Sequence, residues 1–187
     1  MPDTPGTNAS ALLEAHDQLE AAFALHQEAL MLLDLSSAGE MLDAYRTLLS
    51  VHMRHEEDTL LSVFRRAGII KKWPEVLYTG QHQKMNAQLA RIHSALQQLR
   101  QLEGQPLRRE SLALLDLESS YKHLVEHHDG AEREGLFPVV DTQLTAEEAQ
   151  TLIPRLLGQW REAAAAVRPV YERIAHALDQ RAARLDG

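Results

Sequence analysis

The chain has no cysteine. That single absence excludes disulfides, thiolate zinc sites, cysteine-ligated iron–sulfur clusters and thiol nucleophiles. No run of about eighteen apolar residues occurs, so no segment reads as a membrane span. The opening residues MPDTPGTNAS lack a basic n-region and an apolar h-region. The expectation is a short flexible lead-in over residues 1–10, without a secretory signal, on a cytoplasmic protein. Basic residues are in deficit: 19 Lys and Arg stand against 27 Asp and Glu, a formal net charge of −8. The densest basic spot, Arg65-Arg66 with Lys71-Lys72, is small, so neither a nucleic acid nor an anionic membrane is an expected partner. β-Branched residues are sparse, and no Pro/Ser-rich linker divides the chain.

What is present is helical period. The 187 residues suffice for one domain with a real core. From Ser10 to Asp34 the residues Leu12, Leu13, Leu19, Phe23, Ala24, Leu30 and Leu33 return to one side of a helix. Ser37 with Glu40 fits a capping box, predicting a second helix from there to about Arg66, ended by Ala67-Gly68. A third runs from Pro74 to about Glu103, and a fourth from Pro106 to just before Pro138. Thr145 with Glu148 caps a C-terminal part that Pro154 and Pro169 are expected to break or kink. Long helices joined by short loops are antiparallel neighbours. The expected fold is therefore all-α, an up-down-up-down four-helix bundle with an additional C-terminal helical segment.

Ten histidines are the unusual feature. Tyr45, Leu48, Leu49, His52, Glu56 and Leu60 recur at identical spacing as Tyr121, Leu124, Val125, His128, Glu132 and Leu136. Residues four apart share a helix face, so each His-x-x-x-Glu phrase projects an imidazole and a carboxylate together. One such pair is weak evidence, because it can equally be a surface ion pair, and a third pair, His16 with Glu20, also exists. Repetition of the apolar setting is stronger, since a solvated salt bridge does not require it. The preceding helices match as well: LLEAHDQLEAAFALH resembles LYTGQHQKMNAQLARIH.

Distance from the connecting loop orders the ligands by depth. Counting from a loop near Ser36, His16 is level with His52 and Glu56, whereas His26 falls roughly 9–15 Å out of level at 1.5 Å per residue. Counting from Gln105, His82 and His128 are equally deep. Imidazole and carboxylate without thiolate suit iron or manganese, with zinc possible. Two opposed carboxylates, each able to bridge, favour two metals over one. Ferritin-like sites use Glu-x-x-His and more carboxylates, a different order and ratio.

The pattern resembles the hemerythrin-like, or HHE cation-binding, family. The resemblance rests on His16, HMRHEEDTLL from His52, His82 in GQHQKM, and HDGAEREGLFP from His128. It covers roughly residues 11–140, leaving 1–10 as lead-in and 141–187 as a C-terminal helical extension. It implies a four-helix bundle around a non-haem di-iron centre of two iron ions. His16, His52, His82 and His128 would be terminal ligands, and Glu56 and Glu132 would bridge. It further implies a small diatomic partner, oxygen or nitric oxide, that is bound or sensed, or a role in handling iron. The alternative is a di-iron oxidoreductase acting on oxygen, peroxide or nitric oxide, or an iron–sulfur repair function. The chain departs from oxygen-carrying hemerythrins at two points. Asn86 stands where they have a further His, and Glu132 replaces their final Asp. The cysteine-bearing N-terminal extension of the repair relatives is also missing. The extension after residue 140 is expected either to cover the bundle or to form a dimer contact, leaving monomer and homodimer open.

The other histidines and the aromatics read more plainly. His55 and Glu57 are expected beside the site or at the surface, His93 in the core or capping a loop, and His123 and His127 on an exposed face. Tyr45 and Tyr121 are expected as core aromatics, or as phenols that hydrogen-bond a ligand. Trp73 and Trp160 are expected to pack helix ends.

Overall fold

A computed structural model of the chain describes residues 8–68, 70 and 72–185. Positions 1–7 of the expected lead-in, Lys71 of the basic spot and the last two residues of the extension lie outside the described residues. Among the described residues every regular element is helical, with no strand. A 3₁₀ turn (Ala9–Leu13) leads into α1 (Glu14–Met31). Next, α2 (Leu35–His55) continues through a π-helical turn (Glu56–Leu60) into the short α3 (Leu61–Phe64). Then come α4 (Glu75–Leu99) and α5 (Gly104–Ala131). Helix α5 in turn passes through a second π turn (Glu132–Leu136) into α6 (Phe137–Gln143), and α7 (Ala146–Leu185) closes the chain.

Local signals explain most boundaries. Pro74 precedes α4 as its N-cap. Gly68 takes φ 76°, a left-handed conformation that glycine adopts without strain. At α7 the capping box forms in both directions: Thr145 N–H donates to Glu148 Oε2 at 2.9 Å, and Glu148 N–H to Thr145 Oγ1 at 3.2 Å.

Three expectations need correction. Helix α2 is capped by Asp34, whose Oδ1 accepts from Ser37 N–H, while Glu40 reaches away to pair with Arg173. The connection is therefore Leu32–Asp34 and not Ser36, which brings His16 and His52 closer to level. Helix α7 is continuous for 40 residues through Pro154 and Pro169. Each proline removes one helical hydrogen bond, but buried Ile153, Leu156, Leu157, Trp160, Ile174 and Leu178 hold the apolar face of α7 against the body. Lastly, Pro138 does not stop the helix before it. It sits in the first turn of α6, where a missing N–H costs little.

Helix α1 packs on α2, α2 on α4, α4 on α5 and α5 on α1, while α7 lies across α1 and α2. Among the described residues, buried apolar side chains form two clusters. One holds Leu19, Phe23, Leu49, Met53, Met85 and Tyr121. The other holds Leu12, Leu60, Tyr78, Ala131, Leu136 and Phe137. Between them, on each of four helices, comes a buried polar residue or two: His16 between Leu12 and Leu19, His82 between Tyr78 and Met85, and the two His-x-x-x-Glu phrases in the corresponding stretches.

Candidate metal centre

His16, His52, Glu56, His82, His128 and Glu132 are all buried, none more than 5% exposed. Their donor atoms form two sets, His16–His52–Glu56–Glu132 and Glu56–His82–His128–Glu132, each with all donors within 4.8 Å of one another. Both carboxylates belong to both sets, and each set adds two imidazoles. Such groups can hold metal ions.

The distances show how the layer is built. Glu132 Oε2 is 2.8 Å from His16 Nε2, and its Oε1 is 2.8 Å from His128 Nε2. Glu56 Oε1 is 2.9 Å from His52 Nε2, and its Oε2 is 3.0 Å from His82 Nε2. Each carboxylate thus spans one histidine of either set. Glu56 and Glu132 both open π turns. One extra residue per turn re-aims the side chains that follow, a feature that recurs at functional sites.

These contacts are short, but none of the four is a hydrogen bond. Both nitrogens of His16 and all four carboxylate oxygens of Glu56 and Glu132 are buried without a hydrogen-bond partner. At 2.8 Å the His16 N–H direction misses the Glu132 oxygen. Buried polar atoms are rarely left so. Lone pairs that converge on shared space instead of on each other are what a cation requires.

Partners on the far ring nitrogens set the histidine tautomers. His82 Nδ1–H donates to Glu57 Oε1 at 2.7 Å, and His128 Nδ1–H donates to Gln81 Oε1 at 3.1 Å. With their protons on Nδ1, both rings present bare Nε2 atoms, and these are only 3.1 Å apart. Two facing lone pairs repel unless a proton or a metal lies beside them. Partners on the far nitrogen are the usual way a metal-binding imidazole is oriented. Asp129 Oδ2 approaches the far side of His16, 3.5 Å from Nδ1.

Without metal, protons fill that role. Burial pulls the His128 pKa down, but the charges of Glu132 and Glu56 overrule it and raise it to about 10. His52 is likewise lowered by burial and raised overall by Glu56 and Glu132, ending well above the ordinary imidazole range. For Glu56, burial and the Glu132 charge push upward, yet the surrounding imidazoles win and hold it at about 2. Glu132 is raised by burial and lowered further by His128, ending well below the usual carboxylate range. Burial raises Asp129, with His16 pulling the other way.

The remaining residues fall outside the layer. His26 is fully buried; its Nδ1 donates to Ala38 O at 2.7 Å and its Nε2 lies 2.8 Å from Glu118 Oε1. Asn86, the position of the missing histidine, is exposed and donates to Met53 Sδ. His93 is neither core nor cap: half-buried, it faces Asp43 at 3.7 Å. His123 and His127 lie on an exposed face, 3.1 Å apart. His55 is half-buried, its pKa lowered by burial and by the His52 charge. Glu57, placed beside the site or at the surface by sequence alone, does both: its side chain is 44% exposed while it orients His82. Gln81 and Asp129 escaped sequence reasoning, although each is the chain neighbour of a candidate ligand.

A cavity of about 140 Å³ adjoins the layer, reaching His16, His52, His128 and Asp129 from the side of Tyr45 and Tyr121. The two phenols are buried and hydrogen-bonded to each other at 2.6 Å. Trp160 lines a smaller cavity that reaches His52 and Glu56, and its indole N–H donates to Gln18 Oε1 at 3.1 Å.

No family model, no curated protein and no solved structure matches this chain.

Proposed function

We propose that the chain is a hemerythrin-like metalloprotein of the cytoplasm. On this reading residues 11–140 form an up-down-up-down four-helix bundle, and the C-terminal extension covers it. The protein holds two iron ions and binds or senses oxygen or a related diatomic. The observation that carries the reading is the pair of four-donor sets sharing both carboxylates. His16 and His52 would serve one ion, His82 and His128 the other, and Glu56 and Glu132 both. Buried carboxylates left without hydrogen bonds are costly, and a cation among them removes that cost. The all-nitrogen-and-oxygen donor set suits iron and admits manganese or zinc as substitutes.

Bound iron would supply a redox-active, Lewis-acidic pair. The chain's own residues do the rest. Glu57 and Gln81 fix the tautomers of His82 and His128, the two apolar clusters flank the layer, and Asp129 stands at the cavity wall beside His16. A second reading, an oxidoreductase acting on oxygen, peroxide or nitric oxide, is favoured by the exposed Asn86, which leaves the layer without a further imidazole. Anaerobic iron loading tests the main reading: His52→Ala and His128→Ala should each abolish stoichiometric uptake, and His26→Ala should not. Normal uptake by the His52 variant would sink it. Oxygen added to the reduced, loaded chain separates the two readings. A reversible absorption band means binding, and irreversible bleaching with peroxide turnover means an enzyme.

A further inference from the structure

The cavity beside the candidate metal centre is larger than a diatomic needs. Its volume is about 140 Å³, whereas one water occupies about 30 Å³ of liquid and a dry apolar cavity of about 150 Å³ accepts benzene. Leu19, Phe23, Leu49, Met85 and Val125 make its walls apolar, and exposed Glu20, Lys122 and Glu126 stand at its mouth between α1 and α5. Two carboxylates around one ammonium disfavour an anionic visitor.

The tyrosine pair adds a specific polar feature. Tyr45 and Tyr121 hydroxyls make one hydrogen bond to each other, and among the described residues neither has another partner. Two phenols carry two protons, and one mutual bond uses only one of them. The second donor belongs to a phenol at most 2% exposed that lines the cavity. A buried donor calls for an acceptor. Tyr45 precedes His52, and Tyr121 precedes His128, by two helical turns, or about 10 Å at 1.5 Å per residue. A six-membered ring with its contact distances fills that separation.

We propose that this cavity binds a small neutral organic molecule, one six-membered ring in size and carrying one polar group that can accept a hydrogen bond. Its polar end meets the Tyr45–Tyr121 pair and its apolar end faces the candidate metal layer. The proposal deepens the metal-centre reading and rests on it for the ligand's purpose, but the binding itself needs no metal. It names a second ligand beside a diatomic.

Fluorine NMR titration of the metal-free chain with 4-fluorophenol and with fluorobenzene tests it, iron stoichiometry being measured separately on the same preparation so that each claim can fail alone. The expected result is saturable one-to-one binding of 4-fluorophenol. In Tyr45→Phe/Tyr121→Phe the ratio of 4-fluorophenol to fluorobenzene affinity should fall about three- to tenfold, the worth of one net hydrogen bond. Val125→Phe, in the cavity wall, should weaken both probes at least about tenfold, since it fills part of the cavity. The absence of saturable binding, an unchanged ratio in the double variant, or undiminished binding in the Val125 variant would each overturn the proposal.

Discussion

Stripping the metal should leave a chain whose stability falls as pH rises through neutrality. Burial opposes the charge on His128, but Glu132 and Glu56 carry its pKa from 6.5 to about 10. Such a raised group stabilises the fold fully below 6.5, and that stabilisation disappears as pH climbs toward 10. The shift corresponds to roughly 5 kcal/mol at 1.36 kcal/mol per unit, an upper figure because the same ion pairs also hold the two glutamates down. Glu56 works in the opposite direction. Lowered from 4.5 to about 2, it contributes fully above 4.5, and its contribution, roughly 3 kcal/mol, is lost as pH falls toward 2. The metal-free chain should therefore be most stable between about pH 4.5 and 6.5. A domain of this size unfolds with only about 5–15 kcal/mol, so the loss is measurable. Loading metal reverses the slope, because ligands must give up their protons to bind it. Urea unfolding followed by circular dichroism, with and without metal, at about pH 5.5, 7.5 and 9.5 reads both slopes, and it stays below the range in which buried Tyr45, Tyr78 and Tyr121 titrate. A metal-free midpoint that is flat or rises from pH 5.5 to 9.5 would refute the picture of protons standing in for cations.

Other outcomes follow from neighbouring contacts. Glu57→Gln keeps the shape but weakens the acceptor at His82 Nδ1, and should cost about 10–100-fold in metal affinity, read by competition with a chelator. Glu118→Ala leaves the buried His26 Nε2 without its partner and should destabilise the chain by about 1–3 kcal/mol in denaturant titration, with metal stoichiometry unchanged. Gly135→Ala places a Cβ 2.6 Å from both the Trp73 ring and the Tyr78 hydroxyl. Because Tyr78 donates to Ala131 O inside the second apolar cluster, the shift should cost about 1–3 kcal/mol, seen as a lower melting temperature.

How much of this was legible in the residues depends on range. All-helical content follows from periodicity, and the level relation of His16 with His52 and of His82 with His128 follows from counting along antiparallel helices. The rejection of His26 has a physical counterpart: it lies in the first apolar cluster's layer, satisfied by Ala38 and Glu118. What could not be read is what depends on neighbours distant in sequence. Pro154 and Pro169 look like breaks because local propensity says nothing of the buried face that holds α7 straight. Asp34 captures the α2 cap from Ser37 because Leu33, at φ 54°, turns the chain three residues early. The π turns at Glu56 and Glu132 carry no composition signal, since the spacing His-x-x-x-Glu is equally α-helical. Gln81 and Asp129 act through atoms that only the packing of α1, α4 and α5 brings near the imidazoles.

The central claim is that two cations lie between Glu56 and Glu132. Iron-edge anomalous diffraction from crystals of the anaerobically loaded chain tests it most directly. Two peaks are predicted, both touching both glutamates, one also touching His16 and His52 and the other His82 and His128. A single peak, no peak in this layer, or iron held only at the exposed His123–His127 pair would contradict it.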